Sequence, residues 1–361
     1  MTTTARIAGN CRGILRPPEL PSLSVAMTGI DLPRSNKPRA SVIIPATSTP
    51  ELLLACLRSL ARNGPRDLPY ETIVVLNNAS RDDERQLRET VTGLQVVGSR
   101  VNLGLAGAGN RGRQLARGEF LVLLHDDAEV EPAWLETLVE TADAHPEAGA
   151  IGGMVLFPDG RLQHAGMILW RDAQSSVPWV GKTPAPTAYA CLRAVDFCGT
   201  SSLLVRAAAW DAIGGLDERF YPVYYVDVDL AMALRRLGFV VVYQSRSCIR
   251  HHKGASTTRR FAYFLYLRNR RLFVEKWGAA LEEHEPFAKD SHEAIERASA
   301  RAASFQPPPM AATGPPPACP PFDSALQERR HRKKSRALQR AYAMYLAASF
   351  RAAVDVVELF Q

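Results

Sequence analysis

Leu121-Val122-Leu123-Leu124-His125-Asp126-Asp127-Ala128-Glu129-Val130 is an apolar run that stops abruptly at two adjacent carboxylates. A buried parallel strand reads as a near-continuous apolar run, and a helical pattern resumes from Pro132 through Trp134, Leu135, Leu138 and Val139. Ligands of open α/β sheets gather at the carboxyl ends of the strands. Two acids placed there suit a divalent cation, which in turn holds phosphate oxygens. A polar turn capping the next helix accounts for the same residues. This stretch alone does not choose.

Toward the N-terminus the pattern alternates. Ala40-Ser41-Val42-Ile43-Ile44-Pro45 reads as a β-branched strand, and the helix after it opens near Pro50, buries Leu53, Cys56, Leu57 and Leu60, and stops at Gly64-Pro65. Strand 71–76 ends in Asn77-Asn78, and helix 81–90, strand 94–97 and helix 106–116 lead into the apolar run. Such alternation predicts an α/β protein with a mostly parallel sheet and helices on both faces. Beyond 149, short strands at 151–157, 167–170, 194–197 and 202–205 predict a mixed or antiparallel continuation. A helix over 225–237, a strand over 239–243 and an aromatic-rich helix over 261–277 follow.

This organisation divides the chain into an extension (1–39), one large domain (40–280), a helical extension (281–306), a linker (307–321) and a basic-then-apolar helix (322–361). The linker carries eight prolines in fifteen positions, too many for regular structure. No stretch approaches the ~20 apolar residues of a membrane span, and residues 1–15 lack the apolar core of a signal peptide. The six cysteines include no Cys-x-x-Cys pair, which favours neither zinc nor a disulfide framework. A cytoplasmic location is therefore expected. The net charge of +7 is concentrated in Arg329–Arg336, whose six positive charges suit solvent or an anionic membrane surface; no nucleic-acid partner is expected.

The ordered motifs resemble the family 2 glycosyltransferases over residues 40–277. They are Ser41-Val42-Ile43-Ile44-Pro45; Val74-Val75-Leu76-Asn77-Asn78-Ala79-Ser80; Asn102-Leu103-Gly104 with Asn110-Arg111-Gly112; and His125-Asp126-Asp127. Gln163-His164-Ala165-Gly166, Gly214-Gly215-Leu216-Asp217, Asp227-Val228-Asp229 and His251-x-x-Gly254-x-Ser256 continue the series. The resemblance implies a GT-A fold, a nucleoside-diphosphate sugar donor and a divalent metal, Mg²⁺ or Mn²⁺. It assigns Asp127 and His251 to the metal, with His252 as the competing histidine. Pro45, Thr47, Asn77, Asn102, Asn110 and Asp126 fall to the nucleotide sugar, and Gly199, Thr200 and Tyr225 to the acceptor and sugar side.

Asp227 matches the family's general base, which takes a proton from the acceptor hydroxyl. Asp227 and Asp229 equally suit the N-terminus of a helix as caps or dipole partners. The implied activity is inverting transfer to a glycan or lipid-linked hydroxyl, with the protein cytoplasmic or peripheral at the inner face of a membrane. Asn77, His125, Val226 and Ala233 depart from the family pattern. The alternative is a sugar-nucleotide-binding scaffold that has lost catalysis.

Overall fold

The computed structural model describes residues 29–47, 49–178, 180–181, 191–252, 258–305 and 324–358, with side chains of the last segment from 325 to 348. The 307–321 linker, Gly254, Ser256 and most of the 1–39 extension lie outside the described residues.

Among those residues, ten strands build one sheet: β1 (Ala40–Ala46), β2 (Tyr70–Leu76), β3 (Leu94–Gly98), β4 (Phe120–Leu124), β5 (Ala128–Val130), β6 (Ala148–Leu156), β7 (Leu162–His164), β8 (Leu192–Val195), β9 (Ser202–Arg206) and β10 (Val240–His251). The order β3-β2-β1-β4 is parallel throughout. Beside β4 the sheet turns mixed: β9 runs antiparallel to β4 and to β6, β10 lies parallel to β6, and β8 closes the edge antiparallel to β10. The change from parallel to mixed falls where the turn-rich sequence after 149 predicts it. Pro45 does not end β1 but pairs with Val75 inside it, past the last β4 pair at Ile43.

Every residue of β1, β2 and β4 is buried, as strands covered on both faces require. One face packs under α1 (Pro50–Asn63), α2 (Arg81–Thr90) and α4 (Trp134–Ala144), with Leu57, Leu60, Leu87, Trp134 and Leu138 at its centre. The other packs under α3 (Gly104–Leu115), α5 (Ala207–Ala212), α6 (Val226–Arg236) and α7 (Arg259–Leu281), around Trp210, Phe220 and Phe273. Close packing of α3 depends on Gly112, whose added Cβ would stand 2.3 Å from Ile43 Cγ2 on β1.

Two elements differ from the sequence expectation, and both matter to the site. A short strand, β5, separates the carboxylates from α4, so the helix begins at Trp134 and not at Pro132. β10 continues eight residues past Tyr243, through the polar stretch Gln244–Ser247 and a register shift against β6 before Cys248. Its last residues pair with β5, setting His251 opposite Ala128. Apolar periodicity cannot reveal such a strand, because its extension is polar and irregular.

The extension before 40 is anchored at its end, where Ile30–Asp31 pairs in parallel with Val91–Thr92. After α8 (His292–Ala303), α9 (Ser324–Glu358) returns to the main domain. Leu338 and Tyr342 pack on Phe261, Phe264 and Leu265 of α7, with Tyr345 and Leu346 alongside. Leu338 and Tyr342 of its apolar stripe are thus taken by the aromatic start of α7.

Candidate active site

β4 delivers His125, Asp126 and Asp127 beyond its carboxyl end, and the β10–β5 pairing carries His251 to the same place. The His252 amide donates to the Asp127 carbonyl at 3.0 Å and fastens the two segments. His251 Nε2 stands 3.0 Å from Asp127 Oδ1, and His125 Nδ1 stands 3.4 Å from the same Nε2 and 4.0 Å from that oxygen. His125, Asp127 and His251 thus offer three converging ligand atoms. His252 takes no part; its Nε2 pairs with Glu129 at 3.2 Å.

Electrostatics set the charge of this cluster. Burial works against the Asp127 carboxylate, but the hydrogen bond and charge of His251, with His125 nearby, hold its pKa below the ordinary value. Burial first, and then the charge of His251, lowers His125 to about 4. At neutral pH the centre therefore holds a carboxylate and an uncharged His125.

The residues read as nucleotide contacts surround the ends of β1 and β2. Asp126, 3% exposed, accepts from the Thr47 amide at 2.6 Å and so shapes the turn between β1 and α1. Asn77 is buried; its Oδ1 accepts from the Leu103 amide at 3.0 Å, while its Nδ2 has no partner among the described residues. A buried donor without a partner costs about 1–3 kcal/mol. Asn102 Oδ1 accepts from the Gly104 amide at 2.7 Å. Gly104 itself has φ +67 and lets Pro222 approach closely enough for its carbonyl to accept from the Leu105 amide at 2.8 Å.

Asn110 stands elsewhere. Both ends of its amide are committed to the Leu216 backbone, at 2.8 and 2.9 Å, and it lines a polar cleft with Asp217, Asp229 and Lys276. It clamps α3 to the Gly214–Leu216 turn. The ring of Tyr225 lies among Phe220, Tyr266 and Phe273, and its hydroxyl donates to the Ala173 carbonyl at 2.8 Å. Its neighbour Tyr224 is the exposed ring of the pair.

Asp227 lies half-buried in the first turn of α6. The N-cap residue of this helix makes no side-chain cap bond, and Asp227 Oδ1 accepts from the amide of Val228 at 3.0 Å. Burial raises its pKa to about 6, the range suited to a general base. Asp229 points away to α7, where Lys276 Nζ at 2.7 Å and Trp277 Nε1 at 2.7 Å hold it. One aspartate of the motif is thus spent on structure and the other is not.

Residues 198–200 join the two centres. The Cys198 thiol lies within electrostatic reach of Asp227, and two residues later Thr200 Oγ1 lies 3.3 Å from His125 Nε2. Gly199 is confined between them, its Cβ position 3.0 Å from His164 Nε2.

The model of the family described as Glycosyl transferase family 2 matches residues 41–212. This region belongs to the family 2 glycosyltransferases. The chain is 30% identical over 236 residues to the O-antigen biosynthesis protein RfbC of Myxococcus xanthus, covering 62% of this chain and 18% of that protein. It is 28% identical over 211 residues to the N-acetylglucosaminyl-diphospho-decaprenol L-rhamnosyltransferase of Mycobacterium tuberculosis, covering 52% of this chain and 68% of the relative. It thus spans under a fifth of RfbC but about two thirds of the shorter relative. The crystal structure of GalNAc-T7 with UDP, GalNAc and Mn²⁺ matches with a TM-score of 0.53 at 15% identity, over 75% of this chain and 56% of that one. At that identity the likeness is one of fold, and the fold is GT-A.

Within this glycosyltransferase frame, sequence reasoning missed Gln163, Thr200's contact with His125, and His125 as a member of the cluster. Gln163 Oε1 lies 2.7 Å from His251 Nδ1. The only sequence signal for it is its place in Gln163-His164-Ala165-Gly166, which carries no chemistry until β7 sets it beside β10.

Proposed function

We propose that this chain is an inverting glycosyltransferase that moves a sugar, of hexosyl or rhamnosyl type, from a nucleoside diphosphate to a hydroxyl of a glycan or lipid-linked acceptor. The observation that carries the reading is Asp227: a half-buried carboxylate whose pKa burial raises to about 6, without an ion pair among the described residues, and linked through 198–200 to a centre of metal-ligand type. The printed activity of the mycobacterial relative, rhamnosyl transfer to a diphospho-decaprenol carrier, supports the lipid-linked class of acceptor.

In this mechanism an Asp227 carboxylate oxygen takes the acceptor hydroxyl proton as the hydroxyl oxygen bonds to the anomeric carbon. The bond from that carbon to the diphosphate oxygen breaks in the same displacement, and the proton stays on Asp227. Asn77 Nδ2 donates to a carbonyl oxygen of the base, while Asp126 holds the Thr47 turn against the nucleoside. Asp127 and His251 would hold the divalent cation, which when bound offsets the charge of the departing diphosphate. Burial around the cluster strengthens that attraction, because fewer waters screen it.

The exposed face of α9 adds a location. Arg329, Arg330, Arg332, Lys333, Arg336 and Arg340 all face solvent, with Lys334 drawn inward to Glu218 at 2.8 Å. A basic helix face suits the anionic surface that would bear a lipid-linked acceptor. Among the described residues no helix is long and apolar enough to cross a membrane, so the proposal is a peripheral one.

The deciding experiment is Asp227→Asn. General-base catalysis contributes roughly 10²–10⁴-fold. The variant is expected to lose at least hundredfold in kcat while binding nucleoside diphosphate as before. A loss under tenfold removes Asp227 from the role of base.

A further inference from the structure

The histidine at position 125 gives the metal centre a donor set that Asp127 and His251 alone do not have. Its Nδ1 and His251 Nε2 lie 3.4 Å apart, and Asp127 Oδ1 stands 3.0 and 4.0 Å from His251 and His125. Three ligands at adjacent corners of an octahedral ion stand about 3.0 Å apart, and on a tetrahedral ion about 3.3 Å. The separations of 3.0 and 3.4 Å lie close to these figures, and the largest adjustment needed is a shortening of the 4.0 Å between His125 and Asp127.

Both rings are held from behind. Gln163 gives its amide nitrogen to the His251 carbonyl at 3.2 Å, which turns its oxygen onto His251 Nδ1 at 2.7 Å and makes that nitrogen a donor. Nε2 of the same ring then faces the Asp127 carboxylate oxygen 3.0 Å away. On the other ring, Thr200 Oγ1 engages His125 Nε2 at 3.3 Å and leaves Nδ1 facing the centre. Metal-binding histidines are characteristically fixed through the second ring nitrogen in this way.

We infer that His125 completes a two-histidine, one-carboxylate face with Asp127 and His251, and that this face selects a first-row transition ion over Mg²⁺. The inference rests on the metal-dependent reading above and names the ion class for it. The reason is donor chemistry: Mg²⁺ prefers oxygen ligands and gives up water reluctantly, whereas imidazole nitrogen suits the ions from Mn²⁺ toward Zn²⁺ increasingly well. An aspartate at position 125 would make the same face mostly oxygen.

Calorimetric titration with Co²⁺ alone and Mg²⁺ alone tests it on the full chain, with wild type, His125→Asp, His125→Ala and Asp127→Ala compared. Co²⁺ is expected to bind the wild type roughly hundredfold more tightly than Mg²⁺, and His125→Asp to cut that ratio at least tenfold. The visible absorption band of bound Co²⁺ is expected to shift in His125→Asp as a nitrogen ligand is lost. Matching thermal melts of the metal-free proteins separate ligand loss from misfolding, and His125→Ala supplies a neutral second variant. An unchanged ratio and spectrum in both His125 variants, with binding lost in Asp127→Ala, overturns this inference and leaves the metal reading standing. If the wild type binds neither ion, with or without UDP, the metal reading falls as well.

Discussion

Asp227 is the residue on which activity, pH and stability should be seen to pull against one another. Its pKa near 6 puts an acid limb on the rate, so kcat/KM is expected to fall as pH drops through about 6. The same raised pKa means that the fold favours the protonated acid. The stability this contributes is complete below the unfolded value of 3.8 and is lost as pH rises through about 6. Asp227→Asn is therefore expected to gain up to about 3 kcal/mol over wild type at pH 8, and little at pH 4. Urea unfolding at the two values checks it, and equal effects at both would show that the carboxylate is not desolvated. Asp127, His251 and Asp227 were legible in the sequence because each stands in a motif at a strand or helix end. Their neighbours were not. Gln163 and Thr200 acquire a role only when strands distant in the chain meet, and Tyr225 differs from Tyr224 only by which way each ring turns.

At the scale of elements, the alternation of strands and helices was written in the apolar pattern, and β1 to β4 with α1 to α4 followed from it. The exceptions were polar: β5 is three residues, and the end of β10 is a serine- and arginine-bearing edge. Helix packing was less legible than helix position. Gly112 and Gly278 look alike in sequence, yet Gly112 faces Ile43 on β1 whereas nothing lies within 4 Å of a Cβ on Gly278. Gly112→Ala is expected to cost about 1–3 kcal/mol by forcing α3 off the sheet. Gly278→Ala, inside α7, is expected to add about 0.5–1 kcal/mol through helix propensity. Denaturant midpoints on the two variants give opposite signs if this account of α3 packing is right; a stabilised Gly112→Ala would refute it.

For the whole molecule, the question is what α9 does. Its buried side chains rest on α7, and His331, 1% exposed, lies edge-on to Tyr221 while Lys334 pairs with Glu218. Removing the helix would uncover Phe261 and Phe264, so truncation tests packing and membrane binding at once. Charge reversal separates them. Arg329, Lys333, Arg336 and Arg340 face solvent, and each basic residue is worth up to about 1 kcal/mol at an anionic surface. Changing all four to Glu is expected to weaken low-salt sedimentation with anionic liposomes by at least about a hundredfold and leave the melting temperature nearly unchanged. If the wild type itself stays in the supernatant, the basic face is only a solvated one.

The sequence by itself determined the α/β class, the strand that bears the acids and the family to which residues 41–212 belong, because these depend on residue type along a short stretch of chain. Tertiary structure decided which histidine faces Asp127, which aspartate of α6 is held by Lys276 and Trp277, and that Leu338 and Tyr342 of α9 rest on α7. Those outcomes depend on register and on packing between distant segments. A one-residue shift of β10 against β5 would bring His252, not His251, opposite Ala128, and turn the alternate face of the strand to the site.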